Sequence, residues 1–474
     1  MQLEDTSALV ADPSIAIAPA ARTSPWRVFS IASIAVFLVS LDVTVLYAAF
    51  PALRRAFPDA SAGDLSWILN AYTVIYAALL VPAGRFADLR GRKRAFLGGL
   101  SLFLVASLAC GLAPSVEVLV VARGAQAVGA ALLLPASLSL VLGAFPTDQR
   151  AVAVSLWGAV SGLAAATGPS VGSFLVDHLG WPFAFYLNIP FGLISLVRGA
   201  RWLRESRNAA TGAPIDVVGV ALLVTGVGAI ALGLVRSEAL GWGSFGVIGA
   251  LAAGLAALAL FVAWARRIPA PAIDLSLFRD RTYRWINAAT LVYGIAFAMM
   301  FFSIFQFATG IWHYSLSLAG IAASPGPLLV VPTALVCGRI AARRGHRTML
   351  IVGSLVFGLG CAWMAVSLEP APAYLTAWLP GMLLTGIGVG MVMPSLSAAA
   401  VAHLDPSKFG VGSAVNQATR QIGAVLGVAL AVALAGRAHA TIVDYQHLFW
   451  WQAVLAVIVA LLCVRVDTRP APAR

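Results

Sequence analysis

Gly84-Arg85-Phe86-Ala87-Asp88-Leu89-Arg90-Gly91-Arg92-Lys93-Arg94 sets a knot of charge and glycine between two long apolar runs, in a chain where only 11% of residues are charged. A weaker copy, Gly338-Arg339-Ile340-Ala341-Ala342-Arg343-Arg344-Gly345-His346-Arg347, stands far downstream with its second glycine at the same spacing. Further into each half, Gly129-x5-Pro135-Ala-Ser-Leu-Ser is matched by Gly388-x5-Pro394-Ser-Leu-Ser. The chain therefore contains an internal repeat, with the charged knot as its landmark.

Composition excludes a soluble globule. Apolar residues make up 60% of the 474, and the mean hydropathy is +0.91. That suffices for roughly 14 spans of about 20 residues each. Lipid offers backbone groups no hydrogen-bond partner, so such spans must be helices. The formal charge of +12 does not indicate nucleic acid, because no soluble domain exists to carry a basic face. Hydropathy places the spans near 27–50, 64–83, 95–113, 116–145, 151–176, 181–203, 215–235, 243–264, 284–309, 316–338, 348–368, 372–402, 408–436 and 446–465.

The expected organisation is a disordered cytoplasmic tail (1–25), an N-terminal six-helix half (26–203), an inserted helix pair with its loops (204–283), a C-terminal six-helix half (284–465) and a short cytoplasmic tail (466–474). The first tail has Glu4, Asp5 and Asp12 ahead of any arginine and no apolar run, so it does not read as a signal peptide. The inserted pair is almost pure Ala, Leu, Val and Gly, and reads as filler. Of the 31 Lys and Arg residues, Arg54, Arg55, Arg236 and Arg437 fall in outer loops and Arg123 and Arg420 within spans; every other one lies on the side of the termini. The positive-inside rule then predicts both termini in the cytoplasm, and the basic loops are suited to anionic lipid.

Among the 19 acidic residues, only Asp42 falls deep in a span. An ionisable group there costs roughly 3 kcal/mol or more and points to function. From the span ends, Asp42 lies roughly 12 Å and Arg123 roughly 10 Å from the outer surface, so the two match in depth. Burial opposes the carboxylate and a neighbouring guanidinium favours it, which poises the group for protonation. All six histidines fall in loops or at span ends, leaving Asp42 as the candidate proton carrier with Arg123 beside it. The competing reading is an ion pair that merely locks two helices.

Gly158, Gly162, Gly168, Pro169 and Gly172 give the fifth span an edge nearly free of side-chain bulk, suited to close helix approach, and Pro169 lets it bend. Plain helix packing is the alternative to a gate. Along the thirteenth span Ser413, Asn416, Gln417 and Arg420 recur at helical spacing, a polar stripe that must face protein or a cavity. With Asn70, Tyr72, Gln126, Trp157 and Gln306 they form the expected substrate cavity, buried structural hydrogen bonding being the alternative.

Enzyme-like strings are empty. Gly168-Pro-Ser170-Val-Gly172 fits a nucleophile elbow but lies inside an apolar helix. Gly241-Trp-Gly243-Ser-Phe-Gly246 fits a dinucleotide fingerprint but follows no strand. Neither lysine, Lys93 or Lys408, follows a glycine, so there is no Walker A loop. Cys110, Cys337, Cys361 and Cys463 are scattered singly, without metal-ligand spacing.

Beyond these readings, Ser66-Trp67-Ile68-Leu69-Asn70-Ala71-Tyr72, followed by Pro82-Ala83-Gly84-Arg85-Phe86-Ala87-Asp88 and Gly91-Arg92, closely resembles the second span and signature loop of the major facilitator superfamily. So do Leu41-Asp42-Val43-Thr44 with Pro51, and Arg123-x2-Gln126-x2-Gly129. Gly168-Pro169-x2-Gly172 resembles the motif of the superfamily's antiporters, and Phe185-Tyr186-x-Asn188-x-Pro190 is similar to its fourteen-span drug:proton antiporter branch. Ser173, Ala127 and Tyr47 depart from the pattern.

The resemblance implies an all-α integral membrane protein of the major facilitator fold, with two six-helix halves plus two inserted helices, 14 transmembrane helices in all. It implies a secondary active transporter, not an enzyme, that exports amphipathic drugs, antibiotics or biocides against protons across a bacterial inner membrane. Monovalent cations or neutral molecules are the expected cargo. It uses no cofactor beyond the proton gradient, no metal, ATP or nucleic acid, and is expected to be a monomer. Gly84, Asp88, Gly91 and Arg92 are implied to latch the outward-open state, Asp88 against the start of span thirteen near Lys408 to Gly412. The alternatives are a dedicated exporter of one endogenous metabolite or antibiotic, serving self-resistance, and a non-transporting membrane sensor on the same fold.

Overall fold

The computed structural model describes residues 24–146, 149–207, 215–404, 408–435 and 440–468. The expected N-terminal tail and most of the C-terminal one lie outside the described residues. The helices are α1 (Pro25–Ala56), α2 (Ala62–Arg90), α3 (Arg92–Gly111), α4 (Val116–Ala144), α5 (Arg150–Leu179), α6 (Phe183–Tyr186), α7 (Asn188–Trp202), α8 (Val217–Leu240), α9 (Phe245–Ala265), α10 (Arg281–Gly310), α11 (Leu316–Ala323), α12 (Pro325–Arg344), α13 (Arg347–Ser367), α14 (Leu379–Val401), α15 (Phe409–Ala435) and α16 (Ile442–Cys463). Thirteen helical runs among the described residues are long and apolar enough to cross a membrane, and the 30-residue α5 supplies a further long helix. Spans six, ten and twelve are interrupted: α6 hands over to α7 at Leu187, α11 to α12 at Ser324, and α14 is preceded by a wide turn over Tyr374–Trp378.

Helix starts are set by local chemistry. Ser61 with Asp64 and Thr441 with Asp444 form reciprocal capping boxes, and the Ser115, Ser244, Ser315 and Asp280 side chains each accept from a first-turn N–H. The internal repeat has a packing counterpart. A Cβ on Gly129 would come within 2.7 Å of the Phe103 nitrogen in α3, and one on Gly388 within 2.6 Å of the Phe357 nitrogen in α13. Both glycines permit the same backbone approach between the third and fourth helices of their halves.

Each half also ties its second-to-third helix turn in the same way. Gly91 (φ 116°) and Gly345 (φ 82°) end α2 and α12 in a conformation L side chains rarely adopt. Glu205, just past the last helix of the first half, accepts from the backbone N–H groups of Lys93 (3.1 Å) and Arg94 (3.2 Å). Thr468, just past the last helix of the second half, accepts from the His346 N–H at 2.7 Å. Burial holds the His346 imidazole below its usual range. The charged knot is thus mostly the end of α2, and the acid at the N-terminus of α3 is Glu205, not Asp88.

The inserted pair is not bare filler. α8 packs against both α2 and α15, spanning the junction of the halves. Asp216, buried at its start, accepts from Gly219 N (2.7 Å), Trp264 Nε1 (2.9 Å) and Ala272 N (2.9 Å). Arg85 of the knot donates to the Ala270 carbonyl at 2.9 Å, fastening the insert's exit to α2.

Candidate functional site

Asp42 sits in mid-helix, about 25 Å along α1 from Pro25 and about 21 Å from Ala56 at 1.5 Å per residue. This is deeper than the sequence estimate because α1 continues past Pro51. Arg123 Nη1 donates to Asp42 Oδ2 at 2.5 Å, and both side chains are 1% exposed. Gln126 Nε2 and Asn188 Nδ2 each donate to Asp42 Oδ1 at 2.9 Å. Ser107 Oγ accepts from Gln126 at 2.9 Å, while Gln126 Oε1 accepts from Arg123 at 2.6 Å. Arg123 also donates from Nε to the Ile68 carbonyl at 3.0 Å. Four helices, α1, α3, α4 and α7, therefore converge on one carboxylate, with α2 supplying a backbone acceptor. Both carboxylate oxygens are engaged.

Gln126 thus belongs to the Asp42 cluster and not to a cavity. Its i, i+3 relation to Arg123 puts the two on one helix face. Tyr72 is likewise buried, its ring lying under the Arg123 guanidinium at 4.0 Å. Asn188 and Ser107 were not assigned a role from the sequence. Asn188 was visible only within the sixth-span motif, and nothing local distinguishes Ser107.

From Tyr72 the site continues across the junction of the halves. Tyr72 stacks on Tyr76 with centroids 5.9 Å apart and planes 16° apart. The Tyr76 hydroxyl meets the Gln417 side chain of α15, and Gln417 Oε1 accepts from Arg420 Nε at 3.2 Å. Arg420 is half-buried, with Tyr47 and Tyr76 as its ionisable neighbours. The other expected cavity residues disperse. Asn416 donates to Asn287 (3.2 Å) and Thr290 (2.9 Å), binding α15 to α10. Trp157 donates to Ser137 at 3.2 Å. Neither amide atom of buried Asn70 has a partner among the described residues. Gln306 lines a separate vestibule of about 840 Å³ at the end opposite the termini, with Arg54, Arg55, His313 and Tyr445.

Beneath that vestibule the halves are closed. Tyr47 packs on Phe301 and Phe50 on Phe302, at centroid distances of 5.7 and 4.8 Å. Asp177 at the end of α5 accepts from the Ser317 N–H at 3.0 Å, and the Ser170 and Ser324 hydroxyls bond to each other where α11 breaks into α12. The gate residues divide. A Cβ on Gly168 would collide with Thr44 and one on Gly172 would lie 2.6 Å from Val45, so this end of α5 is pressed onto α1 beside Asp42. The Pro169 carbonyl lies 2.8 Å from where a Cβ on Gly320 of α11 would sit. Gly158 faces open space and is not part of that seam; the surroundings of Gly162 lie outside the described residues. In the expected latch, Asp88 Oδ1 accepts from Arg92 Nε at 2.9 Å and is paired within its own knot instead of with α15. Gly84 rests 3.4 Å from Pro135 of α4, measured to the Cβ it lacks.

Two six-helix halves, the first built around a saturated buried carboxylate, with a polar junction between them, define a polytopic membrane transporter. The chain belongs to the Major Facilitator Superfamily, whose family model matches residues 32–428 and again 286–474, and falls among its drug exporters. It is 33% identical over 83% of its length to the multidrug resistance protein Stp of Mycobacterium tuberculosis, covering 73% of that protein. It is 32% identical to the methylenomycin A resistance protein of Streptomyces coelicolor, over 83% of this chain and 82% of the relative. A puromycin resistance protein of Streptomyces alboniger is 35% identical, over 83% and 78%. Among solved structures, a bacterial homologue of the human drug peptide transporters PepT1 and PepT2 shares the fold at a TM-score of 0.64 and 15% identity, covering 93% of this chain and 98% of that one. The protein is thus a multi-pass membrane transporter of small molecules.

Proposed function

We propose that this exporter is a secondary active, proton-coupled antiporter of amphipathic drugs, antibiotics or biocides in a bacterial inner membrane, with both termini cytoplasmic. The observation that carries the reading is Asp42: among the described residues it is the one acid in the middle of a span, and both of its oxygens are engaged by Arg123, Gln126 and Asn188. Protonation must break part of this set, which gives the proton a structural consequence. Arg123 then loses its counter-charge, and the Tyr72–Tyr76 stack carries the change to Gln417 of the other half.

The knot fits the cycle as well. The halves are closed at the vestibule end, and Asp88 rests on Arg92; in the outward-open state it exchanges that partner for the start of α15. The test is substrate accumulation driven by a pH gradient in everted vesicles. Asp42→Asn removes it, and undiminished accumulation would refute the coupling role. A second reading, a dedicated exporter of one antibiotic, draws on relatives named for methylenomycin A and puromycin.

A further inference from the structure

Arg420 is the charge that the Asp42 cluster does not absorb. It lies 11 residues past Phe409 on α15, about 16 Å from the inner end and about 22 Å from Ala435, at mid-membrane depth. No acidic side chain lies within ion-pairing distance of it among the described residues. Its one hydrogen bond there is from Nε to Gln417, which leaves the two terminal amino groups of the guanidinium open. Among the described residues, the ionisable groups near enough to act on its charge are the phenols of Tyr47 in α1 and Tyr76 in α2. Asp42 and Arg123 cancel each other when the carboxyl is ionised, so the net fixed charge at the centre is that of Arg420. An uncompensated guanidinium at this depth is costly unless something supplies the counter-charge.

The vestibule carries the same sign. Among the described residues it is lined by Arg54, Arg55 and His313 and by no acidic side chain. Inward of Pro51 and Gln306, which line it, Tyr47 packs on Phe301 and Phe50 on Phe302. A cation leaving the centre would meet guanidinium at both stations, whereas an anion is attracted at both.

We infer that the cargo of this exporter carries an anionic group, a carboxylate or an acidic phenol on an apolar body, held by the fork of Arg420 with Tyr47, Tyr76 and Gln417 around it. This replaces the cationic or neutral cargo expected from the sequence, and it rests on the export reading. A planar guanidinium suits such an oxyanion through paired, charge-assisted hydrogen bonds.

The experiment uses two xanthene dyes of opposite charge, fluorescein and rhodamine 6G, titrated by fluorescence anisotropy onto the purified full-length protein in nanodiscs. Wild type is expected to bind fluorescein at least about tenfold more tightly, the scale of one charge-assisted hydrogen bond. Arg420→Gln is expected to lose that margin, by weakening fluorescein and, with the repelling charge gone, tightening rhodamine 6G, and Arg420→Lys to keep most of it. Equal affinity for the two dyes, preference for rhodamine 6G, no binding of fluorescein, or unchanged fluorescein affinity in Arg420→Gln would each overturn the inference. The wild-type comparison needs no variant, so a Gln protein that fails to fold leaves it decisive. Binding of the cation alone sinks the anion site and leaves export standing; export itself fails if deleting the gene changes susceptibility to no compound in a cell panel.

Discussion

Arg123 Nη1 and Asp42 Oδ2 meet at 2.5 Å with both side chains 1% exposed, and each partner is held by further hydrogen bonds. Breaking such a pair from one side strands a charge in a dry interior. Asp42→Ala is therefore expected to destabilise the protein by about 3 to 5 kcal/mol. Adding Arg123→Met should recover much of that loss, as read by thermal melting of the purified single and double variants. Additive losses would show that the two side chains do not depend on each other.

Asn188 and Ser107 hold the Asp42 cluster from α7 and α3. Asn188→Leu removes one of the two donors to Asp42 Oδ1, and losing a hydrogen bond to a charged group costs about 1.5 to 3 kcal/mol. The expected outcome is a lower melting temperature together with weakened pH-driven transport. A variant with wild-type melting and wild-type transport would remove Asn188 from the site.

Tyr76 stands between Tyr72, which lies on the Arg123 guanidinium, and Gln417. Through-space attraction from an anion at Arg420 would hold a proton on Asp42, so exchange has to run through the geometry of this stack. Tyr76→Ala is expected to keep substrate binding within a fewfold while abolishing substrate-triggered proton release from the purified protein. Normal proton release in that variant would exclude the relay.

At the charged knot the two acids divide the work. Glu205→Ala uncaps α3 and is expected to cost about 1 kcal/mol in stability, because its carboxylate accepts from Lys93 and Arg94 backbone N–H groups. Asp88→Asn, which touches a half-exposed pair with Arg92, should leave melting nearly unchanged and slow transport. The reverse pattern would assign the cap to Asp88.

The seam between α5 and α1 is tested by Gly172→Val. Its Cβ would fall 2.6 Å from Val45, three residues from Asp42. Overpacking of this kind costs about 1 to 3 kcal/mol, and reduced transport is the expected result; Gly158→Val, in open space, should be silent in both assays.

Much of this was legible because the signals are properties of single helices. Spans follow from runs of apolar residues, the halves from repeated glycine patterns, and Asp42 with Arg123 from their isolation in apolar surroundings. What a single helix does not reveal is the direction a polar residue faces after four helices have met. Gln126, Asn416 and Gln417 look alike in sequence, yet the first binds Asp42, the second ties α15 to α10, and the third alone reaches Arg420. Glu205 escaped notice for a related reason: its partners lie over a hundred residues away, and a linker acid near arginines looks like solvated charge.

The ties made by Glu205 and Thr468 have a consequence for assembly. In each half, chain leaving the sixth helix returns to the turn between the second and third, so each bundle is laced shut by its own chain without a residue of the other half. A gene split in the linker beyond Ser206 would produce two fragments that each retain their lace. Co-expressed, they are suited to reconstitute a working exporter from separate polypeptides, with the α2–α15 contact as the joint between them.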